Sequence, residues 1–326
     1  MRWLAKIDPM VRLLVLAIAL ASLLPATGDG RHAAQWISDG AIFLLFFLNG
    51  LRLPRAEVWR GIGHWRLLVP LLAWCFGAMA LAGKGLALAL DEALPPLVAL
   101  GFLYLGVLPS TVQSATAYSS LAGGNVASSV VIAALTNVLG VFASAPLFAA
   151  LGGGGAGAMG ASGLAKVVVI LILPFALGQL MQRPLSRWVG AHRDFVTTLD
   201  RLSIAIAVYV AFSAAVEQGL CRAVTPADWL VLLVAVSMLL AFAFAGAWAL
   251  AGALGLERPD RIAFLFAGAH KSVAMGAPLA AVLFPPPVAG MVLLPLLVYH
   301  LLQLVVSAPL ASRLARPPRP LPDGAG

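Results

Sequence analysis

Gly268-Ala269-His270-Lys271-Ser272-Val273-Ala274-Met275-Gly276-Ala277-Pro278 lies in the middle of an apolar stretch that runs from about residue 260 to 283. Two glycines and a proline interrupt any helix there, and a lysine sits among them. A lysine at the centre of a spanning helix costs about 2.5–3.5 kcal/mol on insertion scales, and such a residue is a functional candidate by default. Lys271 follows Arg261 by about ten residues and precedes Phe284 by about a dozen, which at 1.5 Å per residue puts it roughly 15 Å deep, too far to snorkel easily. No Asp or Glu lies well inside a span, and Glu217 comes nearest. Three outcomes can stabilise the ammonium: carbonyls at half-helix C-termini, pairing with an anionic substrate, or loss of the proton, which would make Lys271 a proton carrier. The sequence leaves all three open.

The rest of the chain supplies the bilayer that this reading needs. Of 326 residues, 61% are hydrophobic and 10% charged, against about 25% charged in a soluble domain. That composition excludes a soluble enzyme, a disordered protein and a nucleic-acid binder. A spanning helix takes about 20 mainly apolar residues. Ten stretches qualify, near 11–28, 36–53, 66–89, 96–121, 125–150, 164–182, 200–217, 227–254, 260–283 and 288–312. The first resembles a signal peptide, with Arg2, Lys6 and the core Leu13–Leu24, but Asp8, Pro9, Arg12 and Pro25 favour a retained span. With the N-terminus inside, 16 of the 21 Lys and Arg fall on cytoplasmic segments, among them Arg52, Arg55, Arg60, Arg183, Arg201, Arg258, Arg316 and Arg319. Both termini are therefore expected on the cytoplasmic side of a plasma (inner) membrane. The net charge of +8 then reflects this bias.

Five spans in each half give two halves of opposite orientation, 1–155 and 156–326. Ser144-Ala145-Pro146-Leu147 recurs as Ser307-Ala308-Pro309-Leu310, an offset of 163 residues. Inverted repeats of this kind mark secondary transporters, whose sites lie where broken helices cross.

Uncharged polar residues cluster in the fourth span, Pro109-Ser110-Thr111-Val112-Gln113-Ser114-Ala115-Thr116. Proline removes a donor and breaks the helix. Lipid cannot satisfy the freed groups, so the break must face protein or a wet cavity. Hydroxyls, an amide and free carbonyls suit an alkali cation or a polar solute. The fifth span adds Asn125, Ser128, Ser129, Thr136 and Asn137, and the tenth adds His300 and Gln303. The candidate binding set is Ser110, Thr111, Gln113, Ser114, Thr116, Ser128, Ser129, Asn137, His270, Lys271 and Ser272, with Asn49, His300 and Gln303 secondary. Hydroxyls of this kind also serve as helix packing. The two cysteines, Cys75 and Cys221, form neither a disulfide framework nor a metal site.

Leu108-Pro109-Ser110-Thr111-Val112-Gln113-Ser114 with Gly124-Asn125-Val126 resembles the fourth-helix region of the bile acid:sodium symporter superfamily. Phe46–Pro54, Val208–Ala214 and Gly268–Pro278 are similar to its cotransporter 7-like branch. The resemblance implies an all-α fold of ten helices in two inverted repeats, with the fourth and ninth broken and crossing. A panel (11–53 and 164–217) would pack on a core (66–150 and 227–312). It also implies transport of an organic anion with sodium. Ser114 and Ser129 match sodium-site serines, and Thr116 stands near a third ligand position. The family's helix-nine glutamate is absent: Ala267 or a neighbour stands there, and Lys271 falls near the glutamine position, where an amine can replace a bound cation.

The expected function is secondary active transport of an organic solute, an organic anion by resemblance, through alternating access around the crossing breaks. The alternatives are proton-coupled or uncoupled transport with Lys271 replacing sodium, and, in another class, a non-transporting membrane regulator. No enzymatic activity and no cofactor are expected beyond a coupling ion, sodium or a proton. The expected partners are the bilayer and a small organic solute, with no nucleic acid.

Overall fold

A computed structural model describes residues 8–52, 63–153, 165–219 and 223–315. Arg2, Lys6, Arg55, Arg60, Cys221, Arg222, Arg316, Arg319 and the junction between the two proposed halves lie outside the described residues.

The described residues are helical, with no strand among them: α1 (Pro9–Leu23), α2 (Asp29–Arg52), α3 (Trp65–Ala89), α4 (Pro96–Gly106), α5 (Val112–Leu121), α6 (Val126–Phe148), α7 (Ala165–Ala191), α8 (Arg193–Glu217), α9 (Pro226–Ala253), α10 (Arg258–Ala269), α11 (Val273–Leu283) and α12 (Pro286–Leu314). Eight stretches are long and apolar enough to cross a membrane, α10 and α11 together forming one of them. The two shorter apolar helices are α1 and α4.

Prolines start many of these helices, because the first turn has no use for the missing N–H. Pro9, Pro96, Pro226, Pro259 and Pro286 each stand in a first turn. Asp8 caps α1 by accepting from the Met10 amide at 2.7 Å. Thr225 and Asp228 form a capping box on α9.

Helix ends differ from the hydropathy limits, one helix stopping short before a proline and others running on beyond apolar sequence. The first ends at Leu23, not 28, ahead of Pro25. The second begins at Asp29, not 36. The sixth extends to Ala191, not 182, and the seventh starts at Arg193, not 200. Asp200 therefore stands about two turns inside α8 with its side chain 14% exposed.

Two groups of helices emerge from the packing. In one, α2 lies against α7 and α8, and α1 against α8. Two ion pairs, Arg31–Glu217 and Arg52–Asp200, tie α2 to α8 near both ends. Where α2 crosses α7, Gly50 meets Gly178 so closely that a Cβ on either would fall on the other helix's backbone. Such small-residue crossings let main chains touch inside a membrane. In the other group, α3 packs on α4, α4 on α12, α9 on α10, and α5 on α6 and α10. A broad join between the groups is α8 against α11 and α12.

A valine at Gly178 is expected to lower the thermal unfolding midpoint of the purified protein in detergent, by an amount matching at least the 1–3 kcal/mol typical of overpacking. Gly85→Ala, in α3 with open space around it, is expected to hold or raise the midpoint, since alanine favours a helix by about 1 kcal/mol. Equal midpoints for Gly178→Val and the parent would show that the helices do not cross at these glycines.

Candidate functional site

The fourth span breaks at Val107–Thr111, between α4 and α5. Pro109 cannot donate, and a break in a membrane protein leaves carbonyls that lipid cannot satisfy. Five successive carbonyls here find donors. Gly106 and Leu108 accept from Lys271 Nζ at 2.9 and 2.7 Å. Val107 accepts from Ser144 Oγ at 2.8 Å, and Pro109 from the Ser272 amide at 3.0 Å. Ser110 accepts from Asn137 Nδ2 at 2.5 Å. The fifth span supplies two of these donors and the ninth supplies the rest.

Lys271 is 0% exposed. Its third hydrogen bond goes to the Cys75 carbonyl at 3.2 Å. Cys75 lies in a π-helical segment of α3, Ala73–Ala78, and such a segment leaves a carbonyl without its intrahelical donor. Three N–H groups thus meet three carbonyls, the full donor capacity of an ammonium. Two of the three lie at the C-terminal end of α4, where the helix dipole concentrates negative charge. The contacts seen are those of the first of the three outcomes: main-chain carbonyls surround the Lys271 nitrogen, and no carboxylate is among its described hydrogen-bond partners.

The ninth span breaks at His270–Ser272, between α10 and α11. Gln303 bridges it, accepting from the Lys271 amide at 2.8 Å and donating to the Lys271 carbonyl at 3.2 Å. Tyr299 donates to the Ala269 carbonyl at 2.6 Å. The ring of His270 reaches Ser114 Oγ through Nδ1 at 2.9 Å and Ser307 Oγ through Nε2 at 2.7 Å. The Ser272 hydroxyl caps α11. His300 contacts Gln303 at 2.8 Å through Nδ1.

Beside the two breaks lies a cavity of about 370 Å³ between the two helix groups. One wall carries Leu45, Phe46, Asn49 and Arg52 of α2, Phe175 of α7, and Thr197, Asp200, Arg201 and Ile204 of α8. The facing wall carries Thr111–Ser114, Asn137, Ser272–Met275 and His300. Asp8, Met10 and Ala134 also line it. The N-termini of α5 and α11 both open onto this space, and such ends present unpaired amides and positive partial charge. Lys271 is not in the wall. It stands behind it, on the carbonyls of α3 and α4.

The structure brings together Ser110, Ser114, Asn137, His270, Lys271, Ser272 and Gln303 around the breaks, and places Asn49, Thr111, Gln113 and His300 on the cavity wall. Other candidates have separate partners. Ser129 donates to Ser119 at 3.2 Å, and the Ser128 amide donates to Asn125 Oδ1 at 3.0 Å. The Thr116 hydroxyl is buried without a partner. Among the described hydrogen bonds, none links Ser114, Thr116 and Ser129. Sequence reading missed the Cys75 carbonyl, because a π segment has no side-chain signature. It also missed Asp8, Thr197, Asp200 and Arg201, which hydropathy assigned to span ends. Ser144 and Ser307 head the repeated Ser-Ala-Pro-Leu, so their signal was present.

The profile of the SBF-like CPA transporter family matches residues 8–316 of the chain. The Pseudomonas aeruginosa protein PA2026 is 39% identical over 314 residues, covering 95% of this chain and 93% of its own. The Escherichia coli K12 protein bearing the name "Putative symporter YfeH" is 38% identical over 311 residues, covering 95% and 93%. Sodium/bile acid cotransporter 7 of Rattus norvegicus is 23% identical over 318 residues, covering 90% and 88%. With apolar helices long enough to span a bilayer and two broken spans meeting at a buried ammonium, the chain belongs to the SBF-like CPA transporter family: it is a membrane transporter of the bile acid:sodium symporter type and not an enzyme.

Proposed function

We propose that this chain is a secondary active transporter of a small organic anion, working by alternating access. The observation that carries the reading is the cavity between the two helix groups, with the N-termini of α5 and α11 opening onto it. Paired half-helix N-termini at a broken crossing suit an anionic group. The panel is α1, α2, α7 and α8, and the core is the remaining helices. Rocking of the panel would expose the cavity to each side in turn. The Lys and Arg distribution supports an inner-membrane orientation with both termini cytoplasmic.

Several contacts support ten spans built as two inverted repeats. Under the 163-residue offset, Leu108 corresponds to Lys271 and Pro109 to Ser272, and each pair is hydrogen-bonded. Val107 corresponds to His270 and Ser144 to Ser307, and both pairs are in contact, Ser144 through the Val107 carbonyl and Ser307 through the His270 ring. Residues near a two-fold axis touch their own counterparts, so the breaks would lie on the pseudo-axis.

Lys271 takes the role of a resident cation in this reading. Its ammonium occupies the three-carbonyl cage that an alkali ion would otherwise fill, and the hydroxyls of Ser114 and Ser129 are engaged elsewhere. The coupling ion is then a proton, or there is none.

Two measurements test this. Ala134 lines the cavity. Ala134→Cys, with Cys75→Ala and Cys221→Ser, is expected to react with a membrane-impermeant maleimide from both faces of oriented vesicles. Labelling from one face only would sink alternating access. Separately, replacing choline by sodium at constant ionic strength is expected to leave the unfolding midpoint of the parent unchanged and to raise that of Lys271→Gln. Binding to the folded state alone stabilises it by RT ln(1 + [L]/Kd). Sodium stabilisation of the parent would show that a cation site survives beside Lys271.

A further inference from the structure

The cavity has a second polar end, away from the helix breaks. Arg52 is the last residue of α2, and Asp200 and Arg201 stand two turns into α8. All three line the cavity. The Arg52–Asp200 pair uses one nitrogen and one oxygen. Arg52 Nη2, Asp200 Oδ1 and Arg201 Nε are buried and have no hydrogen-bond partner. Only two ion pairs occur among the described residues, and Arg201 is in neither. The remaining carboxylate in the wall, Asp8, caps α1 through one oxygen. A guanidinium donor kept buried and unpaired is costly. It is completed by a planar acid group, which matches the guanidinium fork with two parallel hydrogen bonds.

The same wall carries the apolar Leu45, Phe46, Phe175 and Ile204, with Asn49 among them. The cavity thus offers unpaired guanidinium donors at one end and two helix N-termini at the other, with mostly apolar side chains between them. We infer that Arg201, with the free donor of Arg52, forms a second acid-binding subsite, and that the solute of this cavity is a diacid with a short apolar body. Asp200 holds Arg52 in place and competes with the second acid group for it. The inference rests on the proposal that this cavity is the solute site for an organic anion.

The test compares adipate with hexanoate, equal in carbon count but differing in the second acid. Each is titrated at constant ionic strength against the full-length protein in detergent, with the unfolding midpoint as readout. Adipate is expected to act at about tenfold lower concentration than hexanoate, the margin one bidentate pair supplies. Arg201→Gln is expected to remove that margin while leaving the hexanoate response as it was. Asp200→Asn is expected to widen it. Should Arg201→Gln fail to fold, Arg201→Lys keeps the charge, loses the fork, and is expected to narrow the margin. A parent protein that responds to both acids alike, or an Arg201 variant that keeps the full margin, overturns the diacid subsite and leaves the organic-anion proposal standing. A parent that responds to neither acid overturns both.

Discussion

A carbonyl released from a helix inside a bilayer must find a donor in the protein, because hydrocarbon offers none. Everything around the crossing breaks follows from that demand. Pro109 opens the fourth span, and the carbonyls from Gly106 to Ser110 are exposed as a result. Lys271, Ser144, the Ser272 amide and Asn137 meet them. The ammonium is what closes the set. It satisfies two carbonyls on the α4 side of the break and, through Cys75, draws α3 to the same point. An ammonium in a low-dielectric interior would be prohibitive without these three dipoles. The carbonyls and the charge each make the other tolerable.

The same arrangement orients the cavity. With the α4 carbonyls turned towards Lys271, the opposite poles of the broken spans, the N-termini of α5 and α11, open onto the space between the helix groups. Negative poles are neutralised within the protein and positive poles are left to face the cavity. The asymmetry between the two sets of helix poles is therefore a consequence of how the breaks are satisfied. The helices α2 and α8, clamped by two ion pairs, carry the facing wall as a unit. The Gly50–Gly178 crossing seats α7 against α2 of that unit without bulky interdigitation.

Much of this was legible in the residues. Apolar runs located the helices, the proline and glycine positions located both breaks, and Lys271 stood out because a charge at that depth demands an explanation. The repeated Ser-Ala-Pro-Leu pointed to Ser144 and Ser307, which hold equivalent places beside the two breaks. Helix ends were less legible. Polar turns such as Asp29–Gln35 and Arg193–Leu199 are helical without being apolar, so hydropathy ended its spans inside these helices and left Asp200 and Arg201 at a span end.

The sequence by itself determined that this chain lives in a bilayer, that two of its spans are interrupted, and that a lysine is buried at one interruption. Composition and the intrinsic effects of proline and glycine are local properties that no packing can reverse. Only the tertiary structure decided what the lysine bonds to. Its partners are main-chain carbonyls from α3 and α4, more than 160 residues away in sequence, and every residue carries a carbonyl. Which of them are free depends on where a π segment falls and how two breaks cross, and that is settled when the helices pack.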